Sequence, residues 1–138
     1  METKPLDEVK NKMHQMHFHE KFDLIVAIAN GGIIPAAMLI QILLLPIELL
    51  RLSFRDTRHQ RVYDKPQLIA AINFDIIGKK ILLVEDRVKT GATLNYAKDL
   101  LSAAAIVKTF AVNGKVDYSL YDENCFTFPW IMGTQKNN

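Results

Sequence analysis

Residues 81–94 read ILLVEDRVKTGATL and combine an apolar run, two acidic residues and a small-residue turn. Its first four residues are apolar and β-branched at both ends, which predicts a strand buried on both faces of a sheet. Two carboxylates, Glu85 and Asp86, follow at once, and a turn of small and hydroxyl-bearing residues comes after them. Apolar residues at helical spacing then predict a helix, and these are Leu94, Ala97, Leu101 and Ala104.

The turn Thr90-Gly91-Ala92-Thr93 stands where the chain enters that helix. A helix N-terminus leaves backbone N–H groups unpaired and carries about half a positive charge, so it is suited to binding phosphate. The threonine hydroxyls add donors, and the glycine lets the backbone approach an anion closely. Each charge-assisted hydrogen bond is worth about 1.5–3 kcal/mol. The carboxylates upstream suit sugar hydroxyls or a metal ion, so the stretch as a whole predicts a site for a ribose 5-phosphate.

An apolar strand, two acidic residues and a Thr-Gly-x-Thr turn in this register resemble the signature of the type I phosphoribosyltransferases. The resemblance implies that Glu85 and Asp86 hold the ribose 2- and 3-hydroxyls of phosphoribosyl pyrophosphate and are the candidate catalytic and Mg²⁺-facing residues. It also implies that the turn holds the 5-phosphate. The candidate residues for that role are Thr90, Gly91, Ala92, Thr93 and Leu94. The alternative is an ordinary strand-to-helix turn with an acidic cap, but a cap needs one such residue and this stretch offers several.

A second turn, Asn30-Gly31-Gly32, follows an apolar run over 24–29 that predicts the first buried strand. Glycine pairs at the end of a strand permit close approach to a ligand. The resemblance implies that Asn30, Gly31 and Gly32 bind the pyrophosphate, with Asn30 standing where many purine members carry a basic residue. It further implies a non-proline cis peptide between Asn30 and Gly31, which is a rare and costly conformation. The alternative is a plain Asn-Gly turn.

A polar and basic segment lies between strands predicted over 47–52 and 68–72. In the family a hood-like loop at this place closes over the reaction centre. The resemblance therefore implies that Arg55, Arg58 and Arg61 are candidates to contact the pyrophosphate. A solvated basic hairpin tip is the alternative, because loops of this composition are common on protein surfaces.

The C-terminal part resembles that of the small xanthine and hypoxanthine-guanine members, which end with an Asp-Tyr segment and a Phe-Pro-Trp-like strand. Here Asp117-Tyr118 and Phe128-Pro129-Trp130 follow a strand predicted over 106–112. The resemblance implies a small hood over about 113–133 that covers the base, with Trp130 as a substrate-binding residue. The alternative is core packing with an edge proline.

Three positions depart from the purine members. Lys89, a third candidate catalytic residue, stands where the 6-oxopurine enzymes usually have an aspartate that acts on N7 of the base. A missing acid–base group typically costs about 10²–10⁴-fold in rate. Val112 stands near the position where those enzymes carry a lysine that faces O6 of the base. Cys125 stands near the position of their tryptophan that stacks on the base. These departures leave open a different acceptor, a weak enzyme, or a binding protein that kept the sugar-phosphate pocket.

The composition is typical of one soluble globular domain over residues 1–138, with 49% hydrophobic and 23% charged residues. The formal net charge of +2 does not favour nucleic acid as a partner. The apolar stretch 33–50 is interrupted by Pro35, Pro46 and Glu48, so it is too broken for a membrane span of about 20 apolar residues. The polar N-terminus resembles no signal peptide, and a single cysteine excludes an internal disulfide. We expect a cytoplasmic protein without nucleic-acid or membrane partners.

These patterns, with helices predicted over 5–19, 36–44 and 94–105, indicate an α/β fold. The expected architecture is a mostly parallel twisted sheet with helices on both faces and the ligand at the carboxyl ends of the strands. By resemblance, the expected function is Mg²⁺-dependent transfer of the 5-phosphoribosyl group from phosphoribosyl pyrophosphate to a nucleobase, with a purine as the expected base, by a homodimer in purine salvage. A ligand-sensing regulatory protein on the same fold is the alternative. A phosphoacceptor receiver domain would need an acidic pair after the first strand, and the sequence has none there. A P-loop nucleotidase is excluded because the motif GxxxxGK[ST] is absent from the sequence.

Overall fold

The computed structural model describes residues 1–53, 67–68 and 72–132. Within these ranges six strands form one sheet in the order β3-β2-β1-β4-β5-β6. Five of the strands are parallel, and β3 pairs antiparallel with β2 at one edge. The strands are β1 (Leu24–Ala29), β2 (Ile47–Ser53), β3 (Gln67–Leu68), β4 (Lys80–Arg87), β5 (Ile106–Asn113) and β6 (Tyr118–Tyr121). The expected α/β fold with a mostly parallel sheet is confirmed.

Helices cover both faces of the sheet. They are α1 (Leu6–Gln15), α2 (Ile33–Leu43) and α3 (Ala92–Leu100). On one face, α1 and α2 pack with Ile25, Ala27 and Val84 in one core cluster. On the other face, α3 packs with Val26, Ile28 and the rest of a second cluster. Because β1 and β4 lie between these two layers, their side chains are apolar on both faces, which is why both strands read as continuous apolar runs.

Several element boundaries differ from the expectations. Helix α2 begins at Ile33, two residues before Pro35, because Pro35 lies in the first turn, where its missing N–H has no partner to lose. Helix α3 ends at Leu100, and the N–H of Leu101 is shared between the carbonyls of Ala97 and Lys98, as in the tightened last turn of many helices. Strand β4 continues through the acidic pair to Arg87. The two carboxylates therefore belong to the strand itself.

The C-terminal tail also differs from the expected strand over 126–130. Only Thr127 makes a bridge there, to Thr3, among the residues that the structure covers. The side chains of Phe126 and Phe128 are both buried in the core, and Pro129 has no N–H to donate to a ladder, so the segment packs without a regular strand. The preceding residues form β6, which extends the main sheet. Whether this tail covers a bound base stays a prediction.

The cis peptide joins Ala29 to Asn30, so the expected position at Asn30–Gly31 is wrong by one residue. Arg55, Arg58 and Arg61 lie outside the described residues, and so does most of the segment expected to form a loop over the site. Within the described ranges, no helix is long and apolar enough to cross a membrane.

Candidate functional site

The site lies where the connections from two neighbouring strands diverge. β1 and β4 are adjacent and parallel, so their carboxyl ends meet at one edge of the sheet. From β1 the chain crosses one face through α2 to β2, whereas from β4 it crosses the other face through α3 to β5. Such a switch point leaves a crevice outside the strand ends, and in open α/β sheets this is where ligands bind.

The two turns at this edge touch each other through glycines. A Cβ atom on Gly31 would lie 2.7 Å from Oδ1 of Asp86, and one on Gly32 would lie 2.3 Å from the carbonyl oxygen of Val84. Real Cβ atoms do not approach other atoms so closely, so a side chain at Gly32 would have to displace backbone and one at Gly31 would have to displace the Asp86 carboxylate. The glycine pair therefore places the backbone of the β1 turn against the acidic end of β4.

The acidic pair is ordered by backbone donors. The Asp86 amide donates to Oε1 of Glu85 at 2.9 Å, and the Arg87 amide donates to Oδ1 of Asp86 at 2.6 Å. The pKa of Glu85 is raised from 4.5 to about 8, chiefly by burial and then by the neighbouring charge of Asp86. A cation or sugar hydroxyls at this edge would add partners for the half-buried Glu85 carboxylate.

The turn after β4 has the geometry of an anion seat. Gly91 is the N-cap of α3 with φ +83°, a left-handed conformation that favours glycine, and no side chain caps the helix. The first turn of α3 contains no acidic residue. Thr90 is exposed, and its Oγ1 accepts a hydrogen bond from the Ala92 amide at 3.3 Å. The amides at this helix start therefore face no competing carboxylate from their own helix.

The remaining predicted residues of this turn fall into two groups. Ala92 is exposed and Thr93 is half-buried, so both are reachable from solvent. Leu94 is buried, and its side chain packs in the core cluster beneath α3. Only its backbone is left for the expected phosphate contact. Lys89 is exposed in the bend between β4 and Gly91.

Arg51 is a candidate that the sequence reasoning missed. It pairs with Ala29 in the register of β1 and β2, and its Nη1 donates to Oδ1 of Asn30 at 3.3 Å. The Arg51 side chain is exposed, and it carries a positive charge beside the turn after β1, where Asn30 itself is uncharged. Its position five residues into a strand gave no local signal, but the pairing of two parallel strands brings it to the site.

Trp130 and the two divergent base-side positions lie in different surroundings. Trp130 is half-buried and stacks on Phe128, with ring centroids 5.1 Å apart and an interplanar angle of 10°. It also lines a cavity of about 360 Å³ between α1 and α2. Val112 is fully buried in the core, whereas Cys125 is exposed. The structure therefore places Trp130 beside Phe128 and the cavity between α1 and α2.

Comparisons with known proteins identify the family of the chain. The family model described as "Phosphoribosyl transferase domain" matches residues 3–127. A xanthine-guanine phosphoribosyltransferase of Chromohalobacter salexigens is 33% identical over 91% of this chain and 78% of its own length. A second protein of that name, from Idiomarina loihiensis, is 27% identical over 82% of this chain and 73% of its own length.

The fold agrees as well. A purine phosphoribosyltransferase from Pyrococcus horikoshii superposes with a TM-score of 0.78 at 23% identity, over 96% of this chain and 95% of that one. At this identity the likeness concerns the fold alone, while the family match spans most of the chain. The chain belongs to the phosphoribosyl transferase domain family, as a type I member similar to the purine enzymes.

Proposed function

We propose that the protein transfers the 5-phosphoribosyl group from phosphoribosyl pyrophosphate to a ring nitrogen of a purine base. The C1–O bond of the ribose breaks, pyrophosphate leaves with the bonding electrons, and a C1–N bond forms as the base loses its proton. The observation that carries the proposal is the contact at the switch point, where Gly31 lies against the carboxylate of Asp86. A ligand with its ribose at the acidic pair, its 5-phosphate on one side and its pyrophosphate on the other would reach both turns at once.

Each end of the site suits one part of that ligand. Asp86 and Glu85 bind the ribose hydroxyls, because carboxylates accept hydrogen bonds from them. The start of α3 binds the 5-phosphate through unpaired amides and hydroxyls. The residues proposed for this role are Thr90, Gly91, Ala92, Thr93 and the backbone of Leu94.

The β1 turn is proposed to receive the pyrophosphate. Gly31 and Gly32 bring backbone close to the ligand, and Asn30 offers its amide group. Arg51 supplies a positive charge at hydrogen-bonding distance from Asn30. We include Arg55 as a further candidate, since a short segment of chain separates it from the end of β2. The reaction is then driven by positioning and by stabilisation of the charge on the leaving group.

Mg²⁺ is the proposed cofactor, and the donor set fits it. No group of three or more histidine, cysteine or acidic side chains suited to a metal occurs in the part of the chain that the structure describes. Glu85 and Asp86 alone would hold an ion that keeps waters and substrate oxygens as its other ligands, which is how Mg²⁺ usually binds beside phosphates. When bound, the ion neutralises charge on the leaving pyrophosphate.

A second candidate function is a regulatory protein that binds phosphoribosyl pyrophosphate without turning it over. Lys89 favours it, because an exposed ammonium stands in the bend where the 6-oxopurine enzymes, by the resemblance, use an acid. Such a protein would keep the residues that bind phosphoribosyl pyrophosphate but would lack the acid that transfers a proton at the base. The two candidates therefore differ in turnover and agree in binding.

Two assays separate the candidates. Titration calorimetry with Mg²⁺ and phosphoribosyl pyrophosphate tests binding, and a pyrophosphate-release assay over guanine, xanthine, hypoxanthine and adenine tests turnover. The enzyme hypothesis expects one ligand per chain and release with at least one base. Binding without release on any base would favour the sensor, and no binding would reject both.

We further propose that the protein works as a cytoplasmic homodimer in purine salvage. Helix α2 carries no charged residue, and Ile34 in its first turn and Leu44 at its C-cap are 41% and 81% exposed, which supports an apolar contact with a second copy. Sedimentation equilibrium tests this association. A monomer at every concentration reached would contradict the dimer.

A further inference from the structure

Arg87 links the acidic pair to the C-terminal tail. It is the last residue of β4, and its backbone amide donates to Oδ1 of Asp86 at 2.6 Å. Its Nη2 donates to the carbonyl oxygen of Phe126, and its guanidinium carbon lies 4.7 Å from the ring centroid of Phe128. One residue thus contacts the candidate ribose-binding carboxylate through its backbone and the tail through its side chain.

The contact between Arg87 and the tail is largely withdrawn from water. Phe126 and Phe128 are 1% and 2% exposed. The Nε atom of Arg87 is buried and has no hydrogen-bond partner among the residues described. Burial removes water from the Arg87 guanidinium. Its hydrogen bond to the Phe126 carbonyl and its contact with the Phe128 ring are therefore stronger than they would be at an exposed site.

The far side of the tail is held by the N-terminus. The Lys4 amide donates to the Thr127 carbonyl at 3.2 Å, and the Thr127 amide donates to the Glu2 carbonyl at 2.7 Å. The Lys4 ammonium also lies 5.1 Å from the Phe126 ring centroid. The tail therefore lies between the N-terminal residues on one side and Arg87 on the other. Of these contacting residues, Arg87 is the one next to the acidic pair.

The position of the tail relative to the strands indicates which part of a ligand it would meet. β1 lies on one side of β4, and β5 lies on the other. The amide side chain of Asn113, at the end of β5, donates to the carbonyls of Glu123 and Asn124, so the start of the tail lies at the β5 side. Displacement at the ribose C1 carbon requires the incoming base and the leaving pyrophosphate on opposite faces of that carbon. With the pyrophosphate at the β1 turn, the base approaches from the side of the tail.

We propose that Arg87 is a positioning residue that fixes the tail segment 126–130 against the end of β4 and thereby fixes one wall of the base-binding side. The inference rests on the proposed function, because that side is defined by where the pyrophosphate binds. Phe128 stacks on Trp130, so a shift of the tail at Arg87 moves the tryptophan ring as well. Binding of phosphoribosyl pyrophosphate, which contacts the two turns, depends on Arg87 much less.

The test compares Arg87→Met with Arg87→Lys and with Lys21→Met, a control that removes one exposed charge elsewhere. Three quantities are measured on the full chain. The first is hydrogen exchange of the Thr127 and Ile131 amides, which donate to the carbonyls of Glu2 and Phe128. The others are the affinity for Mg²⁺-phosphoribosyl pyrophosphate and the KM for the base. In Arg87→Met, exchange and base KM should each rise about tenfold, the factor that one such contact supplies. The affinity for phosphoribosyl pyrophosphate should stay within about threefold of the wild type.

The conservative variant and the outcomes separate positioning from general stability. Arg87→Lys keeps the charge but not the planar fork, so it should restore part of the base KM. Unchanged exchange at Thr127 and Ile131 in Arg87→Met overturns the anchoring, with or without a ligand. Equal losses for the base and for phosphoribosyl pyrophosphate overturn the claim on the base side. Failure of the wild type to bind phosphoribosyl pyrophosphate rejects the proposed function and that claim together, while the exchange result still decides the anchoring.

The chain offers a spectroscopic readout that needs no turnover. Trp130 is the single tryptophan, so its emission reports on the tail alone. Its emission maximum should move to longer wavelength in Arg87→Met and stay unchanged in Lys21→Met. An identical spectrum in the wild type, Arg87→Met and Lys21→Met would contradict a role for Arg87 in holding the tail.

Discussion

The turns that follow β1 and β4 meet at one edge of the sheet, yet they obtain their chemistry differently. The β4 turn carries its own functional groups, with two carboxylates at the end of the strand and two threonines at the start of α3. The β1 turn has no charged side chain of its own, and its positive charge comes from Arg51 on the neighbouring strand. One turn is thus complete in its local sequence, and the other is completed by strand pairing.

The largest effect is expected at the β4 turn. Asp86→Asn keeps the size of the side chain and removes its charge, so it should weaken binding of Mg²⁺-phosphoribosyl pyrophosphate by about 100-fold, at the upper end for a lost charged hydrogen bond. Calorimetry measures the change. Asp99→Asn on the exposed face of α3 is the control and should bind like the wild type. Equal affinities for wild type and Asp86→Asn would remove the carboxylate from the site.

The contact between the two turns can be broken at its glycines. In Gly32→Ala the new Cβ meets the backbone carbonyl of Val84 at 2.3 Å, so the backbone must move, and we expect about 1–3 kcal/mol loss in the free energy of unfolding. In Gly31→Ala the new atom meets the side chain of Asp86 at 2.7 Å, and a side chain moves more easily. Gly31→Ala should therefore cost less stability and weaken ligand binding instead. Urea denaturation and calorimetry on both variants check this, and the reverse ranking would count against the packing described.

Loss of the Arg51 charge beside the β1 turn should have a smaller and more selective effect on ligand affinity. Arg51→Gln should weaken binding of phosphoribosyl pyrophosphate about tenfold and leave ribose 5-phosphate unaffected, since the latter has no pyrophosphate. Asn30→Arg, added to Arg51→Gln, should restore affinity by placing the charge in the turn itself. Equal losses for both ligands would show that Arg51 does not act on the pyrophosphate side.

The smallest effect is a pH dependence that arises at the acidic pair. Burial and then Asp86 raise the pKa of Glu85 from 4.5 to about 8, so the folded state binds a proton that the unfolded state has released. The contribution to stability is full below pH 4.5 and is lost as the pH rises to about 8. We expect a loss of at least about 1 kcal/mol over that range, and a flatter profile in Glu85→Gln. Denaturation curves at several pH values test this; superimposable profiles would contradict the raised pKa.

The two turns also differ in how much of each could be predicted from the sequence. The bounds of β1 and the acidic pair were predictable, because apolar runs and side-chain types are local properties. The contact of Gly31 with Asp86 depends on β1 and β4 being neighbours, and Arg51 depends on a strand register, so neither has a local signal. Arg87 lies within the signature stretch, but its partners in the tail are 39 or more residues away.

The central claim is that the turn after β4 binds a ribosyl phosphate. Amide NMR of the ¹⁵N-labelled protein, titrated with ribose 5-phosphate, tests it most directly, because this ligand carries neither pyrophosphate nor base. We predict that the largest shifts fall on Asp86 and on the amides from Thr90 to Thr93, with little change at Gly31 and Gly32. Shifts that centre elsewhere, or none at millimolar ligand, would contradict the claim.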